Sequence, residues 1–311
     1  MITLIVTEKE RELSRNPNPR RVRPKLKSTI IGWSFITIAA IMIIVFYFYP
    51  MVQAFILSFQ SGTGVNLQFV GFENYTRLFK DPTFITTVKN TVIYLIIQVP
   101  LMILLALILS VFLNNKKLKW KGFFRTAIFL PCVTSLVAYS VIFKYLFSQD
   151  GIINVMLMKL ALIGEPIQWL TDPFWAKITI VIAITWRWTG YNMIFYLSAL
   201  QNVDESIYEA ARIDGASPLQ QFFKITIPSL KPIILFTSIT STIGTLQLFD
   251  EVVNITQGGP GNATITISQY IYNLSFKYTP DFGYAATVSY MIVIMIVLFS
   301  IIQFKVAGDK K

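Results

Sequence analysis

The sequence predicts an all-α, polytopic membrane protein with six transmembrane helices. Three observations support this fold class. The 311 residues are 54% apolar and only 14% charged, with a mean hydropathy of +0.58, which is outside the usual range of soluble domains. Six stretches are long and apolar enough to cross a bilayer as helices. The basic residues concentrate in alternate loops, as they do in multispanning proteins.

The six spans follow from the length of helix that a bilayer requires. A hydrocarbon core about 30 Å thick needs roughly 20 apolar residues in helical form. The second span contains Pro100, the third contains Pro131, where we expect a kink, and the fourth contains a single charge, Arg187. The predicted spans are Ile30–Tyr49, Asn90–Leu113, Phe123–Phe147, Ile178–Leu200, Ile233–Phe249 and Phe282–Phe304.

The distribution of the 27 Lys and Arg residues predicts the orientation of these spans. Eight precede residue 28, five lie in 114–125, three lie in 201–232 and three follow residue 303, whereas the alternate loops hold five. Because cytoplasmic loops collect cations, both termini are expected in the cytoplasm. The net charge of +11 is therefore attributed to a membrane surface, and no nucleic-acid partner is expected.

This pattern gives a simple domain organisation. We expect residues 1–28 to form a basic cytoplasmic tail. Residues 29–311 are expected to form one six-span domain that includes a cytoplasmic loop at 201–232.

The residue types that many enzymes need are scarce. Cys132 is the only cysteine and histidine is absent, which excludes intramolecular disulfides, multi-cysteine metal sites and imidazole catalysis. No GxxxxGK[ST] segment occurs, so the chain has no P-loop to hold the phosphates of ATP. We therefore expect no enzymatic activity, and no metal or cofactor bound by this chain.

The loop at 201–232 has the sequence of two short capped helices. Asp204 is a good N-cap, and Gly215 supplies the left-handed residue that ends the first helix. Ser217 begins a capping box for the second helix, which Pro228 is expected to end. Both helices carry apolar residues at helical spacing, so the membrane or a cytosolic partner must cover them.

Several motifs of the chain resemble one protein family. Segments 69–75, 122–125 and 258–261 are similar to the carbohydrate-uptake branch of bacterial ABC importer permeases, in particular to its MalF/UgpA-like subunit. The resemblance covers nearly all of the chain after residue 28 and implies the type I ABC importer permease fold in a bacterial inner membrane. The cytoplasmic loop looks like the EAA motif of these permeases, which it matches at Glu209, Ala210, Ala211, Asp214, Gly215 and Ala216.

The resemblance also implies a set of partners. In that family, two permease subunits form the pathway, two cytosolic ABC ATPases drive it with Mg-bound ATP, and an extracellular binding protein delivers the sugar. We therefore expect a second, MalG-like permease subunit, two ATPases, a sugar-binding protein and a sugar or oligosaccharide substrate. The EAA residues are expected to contact the ATPase.

The fourth and fifth spans carry the candidate sugar site. Sugars stack their C–H faces on aromatic rings and pair their hydroxyls with amides and hydroxyls. Packing against a neighbouring helix is the alternative for each aromatic residue, and subunit pairing is an alternative for Arg187. Combining these residue types with the positions that the family resemblance implies gives the predicted substrate-binding residues Arg187, Trp188, Tyr191, Asn192, Ser241, Thr245, Gln247 and Leu248.

Two other functions stay open at the level of sequence. An ion-coupled secondary transporter is disfavoured because no acidic residue lies within a span, although Asp250 and Glu251 follow the fifth span directly. Import of glycerol phosphate within the same family is the second alternative.

Overall fold

The computed structural model describes residues 26–62 and 67–307, and most of these are helical. In this part of the chain the only sheet is an antiparallel pair of two-residue strands, in which Gln60 lies opposite Phe69. The all-α fold class predicted from the sequence is confirmed. Most of the predicted tail at 1–28 lies outside the described residues.

The helices range from single turns to 33 residues. Three π-helical turns lie between them, at Ile44–Phe48, Phe222–Thr226 and Asn273–Lys277. In chain order the other elements are α1 Leu26–Ile43, α2 Tyr49–Leu57, β1 Gln60–Ser61, β2 Gln68–Phe69, α3 Glu73–Leu78, α4 Pro82–Asn114, α5 Lys121–Val133, α6 Leu136–Leu146, α7 Ile152–Lys159, α8 Pro173–Leu200, α9 Glu205–Ile213, α10 Pro218–Gln221, α11 Ile227–Ser229, α12 Lys231–Leu246, α13 Asp250–Ile255, α14 Ile267–Tyr272 and α15 Phe282–Ala307.

Three helices of the described chain are long and apolar enough to cross a membrane unaided: Trp33–Leu57, α4 and α15. Two bent pairs meet the same test when each pair is taken together, α5 with α6 and Pro218–Ser229 with α12. Helix α8 has 28 residues, which is a length of roughly 42 Å, but it contains Arg187 and several polar residues. Each of the six predicted spans overlaps one of these elements, although Trp33–Leu57 extends past Tyr49 and Pro218–Ser229 belongs to the predicted loop at 201–232, and the number six stays a prediction.

The third predicted span is broken by a bend of 100°. Helix α5 runs through Pro131 and ends at Val133, and α6 begins at Leu136. The kink predicted at Pro131 is therefore wrong. The chain changes direction at Thr134 and Ser135 because both have extended ψ angles, 148° and 133°. The Thr134 hydroxyl donates a hydrogen bond to the Pro131 carbonyl at 2.7 Å and so satisfies one of the free acceptors at the end of α5.

The described chain divides into two compact units after Gln53. The first unit contains α1, the π turn that follows it and the start of α2, and the side chains described from Trp33 onward are almost all exposed and largely apolar. The second unit contains the remaining elements and all of the buried residues named below.

Helices α4 and α8 form the centre of the second unit and share its most extensive helix–helix contact. One apolar cluster lies among α4, α12, α14 and α15, a second among α6, α8 and α13, and a third joins α4 and α8 to the turn before α12. Polar side chains are buried with them, such as Tyr196, whose hydroxyl lies 2.6 Å from that of Thr237 on α12. Such interhelical hydrogen bonds help to hold membrane helices together.

Asp81 fixes the N-terminal end of α4. Its carboxylate accepts hydrogen bonds from the backbone N–H groups of Thr83 and Phe84, at 2.8 and 3.3 Å, which caps the helix. The hydroxyls of Tyr270 and Tyr284 donate to its other oxygen, at 2.5 and 2.7 Å. Burial alone raises the pKa of Asp81, but these four donors favour the carboxylate and hold its pKa below the ordinary value.

Candidate functional site

A cavity of about 460 Å³ lies between α4, α8 and α12. Aromatic rings, hydroxyls and amides share its wall with a few aliphatic side chains and two carboxylates. The described residues that line it are Gln98, Met102, Leu136, Ile184, Trp188, Tyr191, Asn192, Thr240, Ser241, Gly244, Thr245, Gln247, Leu248, Phe249, Asp250 and Glu251.

Seven of the eight substrate-binding residues predicted from the sequence line this one cavity, and Arg187 does not. The predicted residues on α8 lie within little more than one turn, and those on α12 lie near its C-terminal end or just beyond it. Their role in binding a substrate stays a prediction. The seven are Trp188, Tyr191, Asn192, Ser241, Thr245, Gln247 and Leu248.

A row of aromatic rings leads from the cavity along α8. The rings of Trp188 and Tyr191 are perpendicular, with their centroids 5.9 Å apart, and Tyr191 contacts Phe195 at 5.1 Å. Phe195 in turn contacts Phe236 of α12 at 5.8 Å. Trp188 is 37% exposed and Tyr191 is 41% exposed, so the two rings that line the cavity keep accessible surface for stacking.

The polar groups of the cavity are held in place by a short chain of hydrogen bonds. Thr245 donates to the side-chain oxygen of Gln98 at 2.9 Å, and the amide nitrogen of Gln98 lies 3.2 Å from the sulfur of Met102. The amide of Asn192 contacts the same sulfur at 3.4 Å, which leaves its buried oxygen as a free acceptor among the described residues. The sequence reasoning missed Gln98 and Met102, although a glutamine inside an otherwise apolar span is a signal that could have found the first.

Arg187 is not among the lining residues of the cavity and lies at the break in the third span. Its side chain is 5% exposed, and Nη2 donates to the backbone carbonyls of Cys132 and Thr134, at 3.4 and 3.1 Å. The guanidinium also lies over the ring of Tyr139, 4.8 Å from its centroid. The placement therefore differs from the predicted sugar contact, because the carbonyls at the end of α5 need donors that no regular helix supplies.

Gly190 sets the distance between α5 and α8. A Cβ atom at this position would lie 2.0 Å from the carbonyl oxygen of Ile128, so only glycine permits the close approach of the two helices. The crossing lies within one helical turn of both Arg187 and Tyr191. It therefore helps to orient the arginine towards α5 and the tyrosine towards the cavity.

Two acidic residues complete the cavity wall, and the sequence reasoning gave them no role. Asp250 and Glu251 form the first turn of α13, directly after the fifth predicted span. Asp250 is exposed, whereas Glu251 is 4% exposed and has the Arg187 charge and the Trp188 indole as neighbours. The sequence did not predict that they line the cavity, because this depends on the packing of α13 against α8 in the fold.

A second candidate site is the loop that carries the EAA-like residues. Asp204 accepts a hydrogen bond from the Ser206 amide at 3.0 Å and begins α9, and Gly215 has a φ angle of +78°. The capping box of α10 has both bonds, since the Ser217 amide donates to the Gln220 side chain at 2.8 Å and the Gln220 amide donates to the Ser217 hydroxyl at 3.3 Å. The predicted caps and turn of this loop are confirmed.

The predicted end of the second helix is wrong. The chain stays helical through a π turn and past Pro228 to Ser229, and the 73° bend follows there. The wider spacing of hydrogen bonds in a π turn accommodates a residue that has no N–H. The direction of the chain therefore changes at Leu230.

Large apolar side chains on and directly after α9 and α10 are exposed. Ile213 is 87% exposed, Leu219 is 67% exposed and Phe223, in the π turn after α10, is 56% exposed. The loop is joined to the segment between α4 and α5 by an ion pair between Lys116 and Glu205. Four of the six EAA-like residues, Glu209, Ala210, Asp214 and Gly215, are exposed, and Ala211 and Ala216 are half-buried.

Comparisons with known proteins give a consistent result. A family model described as "Binding-protein-dependent transport system inner membrane component" matches residues 82–307. The lactose transport system permease protein of Rhizobium radiobacter is 59% identical over 282 residues, which covers 90% of this chain and 95% of that protein. The arabinooligosaccharides transport system permease protein of Halalkalibacterium halodurans is 36% identical over 285 residues, with coverages of 91% and 89%.

The fold is also similar to that of a chain with a solved structure. A crystal structure of a bacterial ABC transporter involved in the import of the acidic polysaccharide alginate contains a chain that matches with a TM-score of 0.77. The two chains are 23% identical, and the match covers 91% of this chain and 96% of that one. At this level of identity the similarity concerns the fold alone.

Proposed function

Since the chain belongs to the family of binding-protein-dependent transport system inner membrane components, we propose that it carries a lactose-like sugar across the membrane as one permease subunit of an ABC importer. It is a transport component and not an enzyme. Membership of this family sets aside the ion-coupled secondary transporter. The short sugars in the names of two relatives support a disaccharide or small oligosaccharide as the substrate.

The cavity between α4, α8 and α12 is the observation that carries this proposal. It combines exposed faces of Trp188 and Tyr191 with the polar side chains of Asn192, Thr245 and Gln247. Rings stack on the apolar faces of a sugar, while hydroxyls and amides replace the water lost from its hydroxyls. A volume of about 460 Å³ falls in the range of small-molecule sites.

The exposed loop around Gly215 supports a contact with a cytosolic ATPase. The chain supplies no P-loop, so Mg-bound ATP must be held by a partner. Helix α9 has no buried residue, and an isolated helix this short gains little stability in water. We infer that a cleft of the ATPase covers the apolar side chains of α9 and α10, and that its ATP-driven closure moves the loop and the spans between two states.

The proposed assembly contains a second permease subunit, two ATPases and an extracellular sugar-binding protein. The cavity of this chain would form one side of a pathway that the second permease subunit completes. Both termini are proposed to face the cytoplasm, because the cation-rich loops and the EAA-like loop then lie on the same side.

Purification in mild detergent tests this assembly. A tagged form of the chain should bring down an ATPase subunit and a second permease subunit, and the complex should hydrolyse ATP faster when the loaded binding protein is added. Recovery of the chain without an ATPase would contradict the proposal.

The sugar site is tested by two substitutions in the cavity wall. Tyr191→Ala removes a stacking ring and should cost about 1 to 3 kcal/mol of sugar affinity. Thr245→Leu removes the hydroxyl that donates to Gln98 and should also impair uptake. Tyr47→Ala is the matched control, since Tyr47 is 75% exposed and belongs to the other unit. Normal uptake by both cavity variants in a correctly assembled complex would refute the site.

A further inference from the structure

The charges on the cavity wall are all of one sign. Among its sixteen described lining residues, Asp250 and Glu251 are acidic and none is Lys or Arg. The remaining lining residues are apolar, aromatic or neutral and polar. A ligand in this cavity therefore lies beside two acidic residues, and no Lys or Arg is among the described residues of the wall.

The cation beside these acids is Arg187, whose guanidinium lies 5.7 Å from the centroid of the Trp188 ring. Arg187 is buried, lies off the cavity wall and donates to backbone carbonyls at the break between α5 and α6. Its charge acts on Glu251, which is itself 4% exposed. Asp250 is exposed at the cavity, and neither acid forms an ion pair within the described residues.

The acidic residues of the cavity should bind neutral ligands and anionic ligands with different affinities. A sugar hydroxyl can donate to a carboxylate, and such charge-assisted hydrogen bonds are stronger than neutral ones. A ligand carboxylate, or a phosphate that is largely dianionic at neutral pH, does not donate a hydrogen bond to these acids and is repelled by a like charge. The exposed Asp250 carboxylate therefore favours an uncharged, hydroxyl-rich ligand over an acidic ligand of the same shape, and Glu251, whose pKa is raised by burial, adds a second acid behind it.

We propose that Asp250 and Glu251 make this site selective for uncharged sugars and exclude sugar acids and phosphorylated polyols. The inference rests on the proposed function, because it concerns the same cavity. The proposal excludes glycerol phosphate as the substrate, which was the second alternative at the level of sequence. The fold by itself does not decide the matter, since a chain with a similar fold belongs to an importer of the acidic polysaccharide alginate.

The test compares two ligands that differ by one charge. Methyl β-lactoside and its derivative with the galactose C6 oxidised to a carboxylate have the same rings and linkage. Their dissociation constants for the purified transporter complex are measured by saturation-transfer NMR without the binding protein, so that only the membrane part selects. At low ionic strength the wild type should bind the neutral ligand at least about tenfold more tightly, a difference expected of one unscreened like charge.

Substitution of the acids should reduce this discrimination. In Asp250→Asn the ratio of the two dissociation constants should fall by about threefold or more, and Glu251→Gln should lower it less, because burial favours the neutral form of Glu251. Asp150→Asn is the matched control, because Asp150 is an exposed acid outside the cavity and its neutralisation should leave the ratio unchanged. If Glu251→Gln fails to assemble, Asp250→Asn decides alone, since its side chain is exposed.

The outcomes separate this inference from the proposed function. Equal binding of the two ligands by the wild type, or an unchanged ratio in the cavity variants, would overturn the charge selection while leaving a sugar site in place. Failure of the neutral ligand to bind would instead contradict the sugar site itself.

Discussion

Arg187 shows how a buried cation in a membrane protein can find partners without a carboxylate in the same helix, while its Nε and Nη1 atoms have no hydrogen-bond partner among the described residues. Its guanidinium donates to two backbone carbonyls and lies over the face of Tyr139. Chemistry alone predicted that this charge needs partners, but the partners are backbone atoms more than fifty residues away. A sequence carries no local signal for such a contact, and for the same reason Gly190 could not be recognised as the crossing point of α5 and α8.

Replacement of Arg187 by lysine should destabilise the complex. Lysine keeps the charge but lacks the planar group that reaches both carbonyls and stacks on Tyr139. The loss of a charge-assisted hydrogen bond in a buried site costs about 1.5 to 3 kcal/mol. Thermal unfolding in detergent measures the effect, with Arg125→Lys, at an exposed position, as the control. Equal melting temperatures for the two variants would contradict the proposed role of Arg187 at the break.

The stability that Asp81 contributes to the folded protein should depend on pH. Asp81→Ala removes the N-cap of α4, at a cost of about 1 kcal/mol, and the two tyrosine hydrogen bonds, at about 1.5 to 3 kcal/mol more. Because the pKa of Asp81 in the folded protein lies below its ordinary value, the carboxylate contributes stability that is fully present above about pH 4 and is lost as the pH falls through the folded pKa.

The matched control for this prediction is Asp172→Ala. Asp172 caps α8 through the amides of Phe174 and Trp175 and receives no tyrosine hydroxyl among its described contacts. The loss of stability at pH 7 should be larger for Asp81→Ala, and the difference from wild type should shrink in acid. A pH-independent difference would show that the carboxylate charge of Asp81 is not responsible.

At the scale of single elements, the sequence predicted helix caps and turns correctly where the residues involved are close together in the chain. Asp204, Gly215 and Ser217 cap or turn their own neighbours, so the loop around them could be read from the sequence. The bend in the third span could not, because the Arg187 group that donates to the Thr134 carbonyl comes from α8, far along the chain. The cavity residues of α8 and α12 were predicted together through family resemblance, whereas Gln98 on α4 was missed.

The turn at Gly215 is the element whose alteration should uncouple transport. Gly215 has a φ of +78°, a conformation that costs a β-branched residue about 1 to 2 kcal/mol, although a Cβ atom there would meet no neighbour within 4 Å. Gly215→Val should therefore strain the loop without a clash and weaken association with the ATPase while membrane insertion continues. Co-purified ATPase and sugar uptake are the measurements.

Gly164→Val is a suitable control for that experiment. A Cβ atom at Gly164 would also meet no neighbour within 4 Å, but the φ angle of this residue lies outside the left-handed region. The substitution should leave ATPase association unchanged. Full association and uptake by Gly215→Val would argue against a coupling role for this loop.

At the scale of the whole molecule, the arrangement of basic loops predicts which ends of the spans face the cytoplasm. Single cysteines at Lys117 and Lys277, introduced after removal of Cys132, should react with an impermeant maleimide from opposite sides of the membrane, because the two positions lie on opposite sides of the predicted topology. Both side chains are exposed, so burial does not limit the reaction. Labelling of both from outside in intact cells would refute the six-span arrangement.

The break in the third span has a consequence for biosynthesis. Arg187 lies 53 residues after Thr134, so the guanidinium that binds the carbonyls of Cys132 and Thr134 does not yet exist when α5 and α6 leave the ribosome. Unpaired carbonyls are costly in lipid. We therefore expect the third span to stay beside the insertion machinery, or in contact with water, until the fourth span has been synthesised.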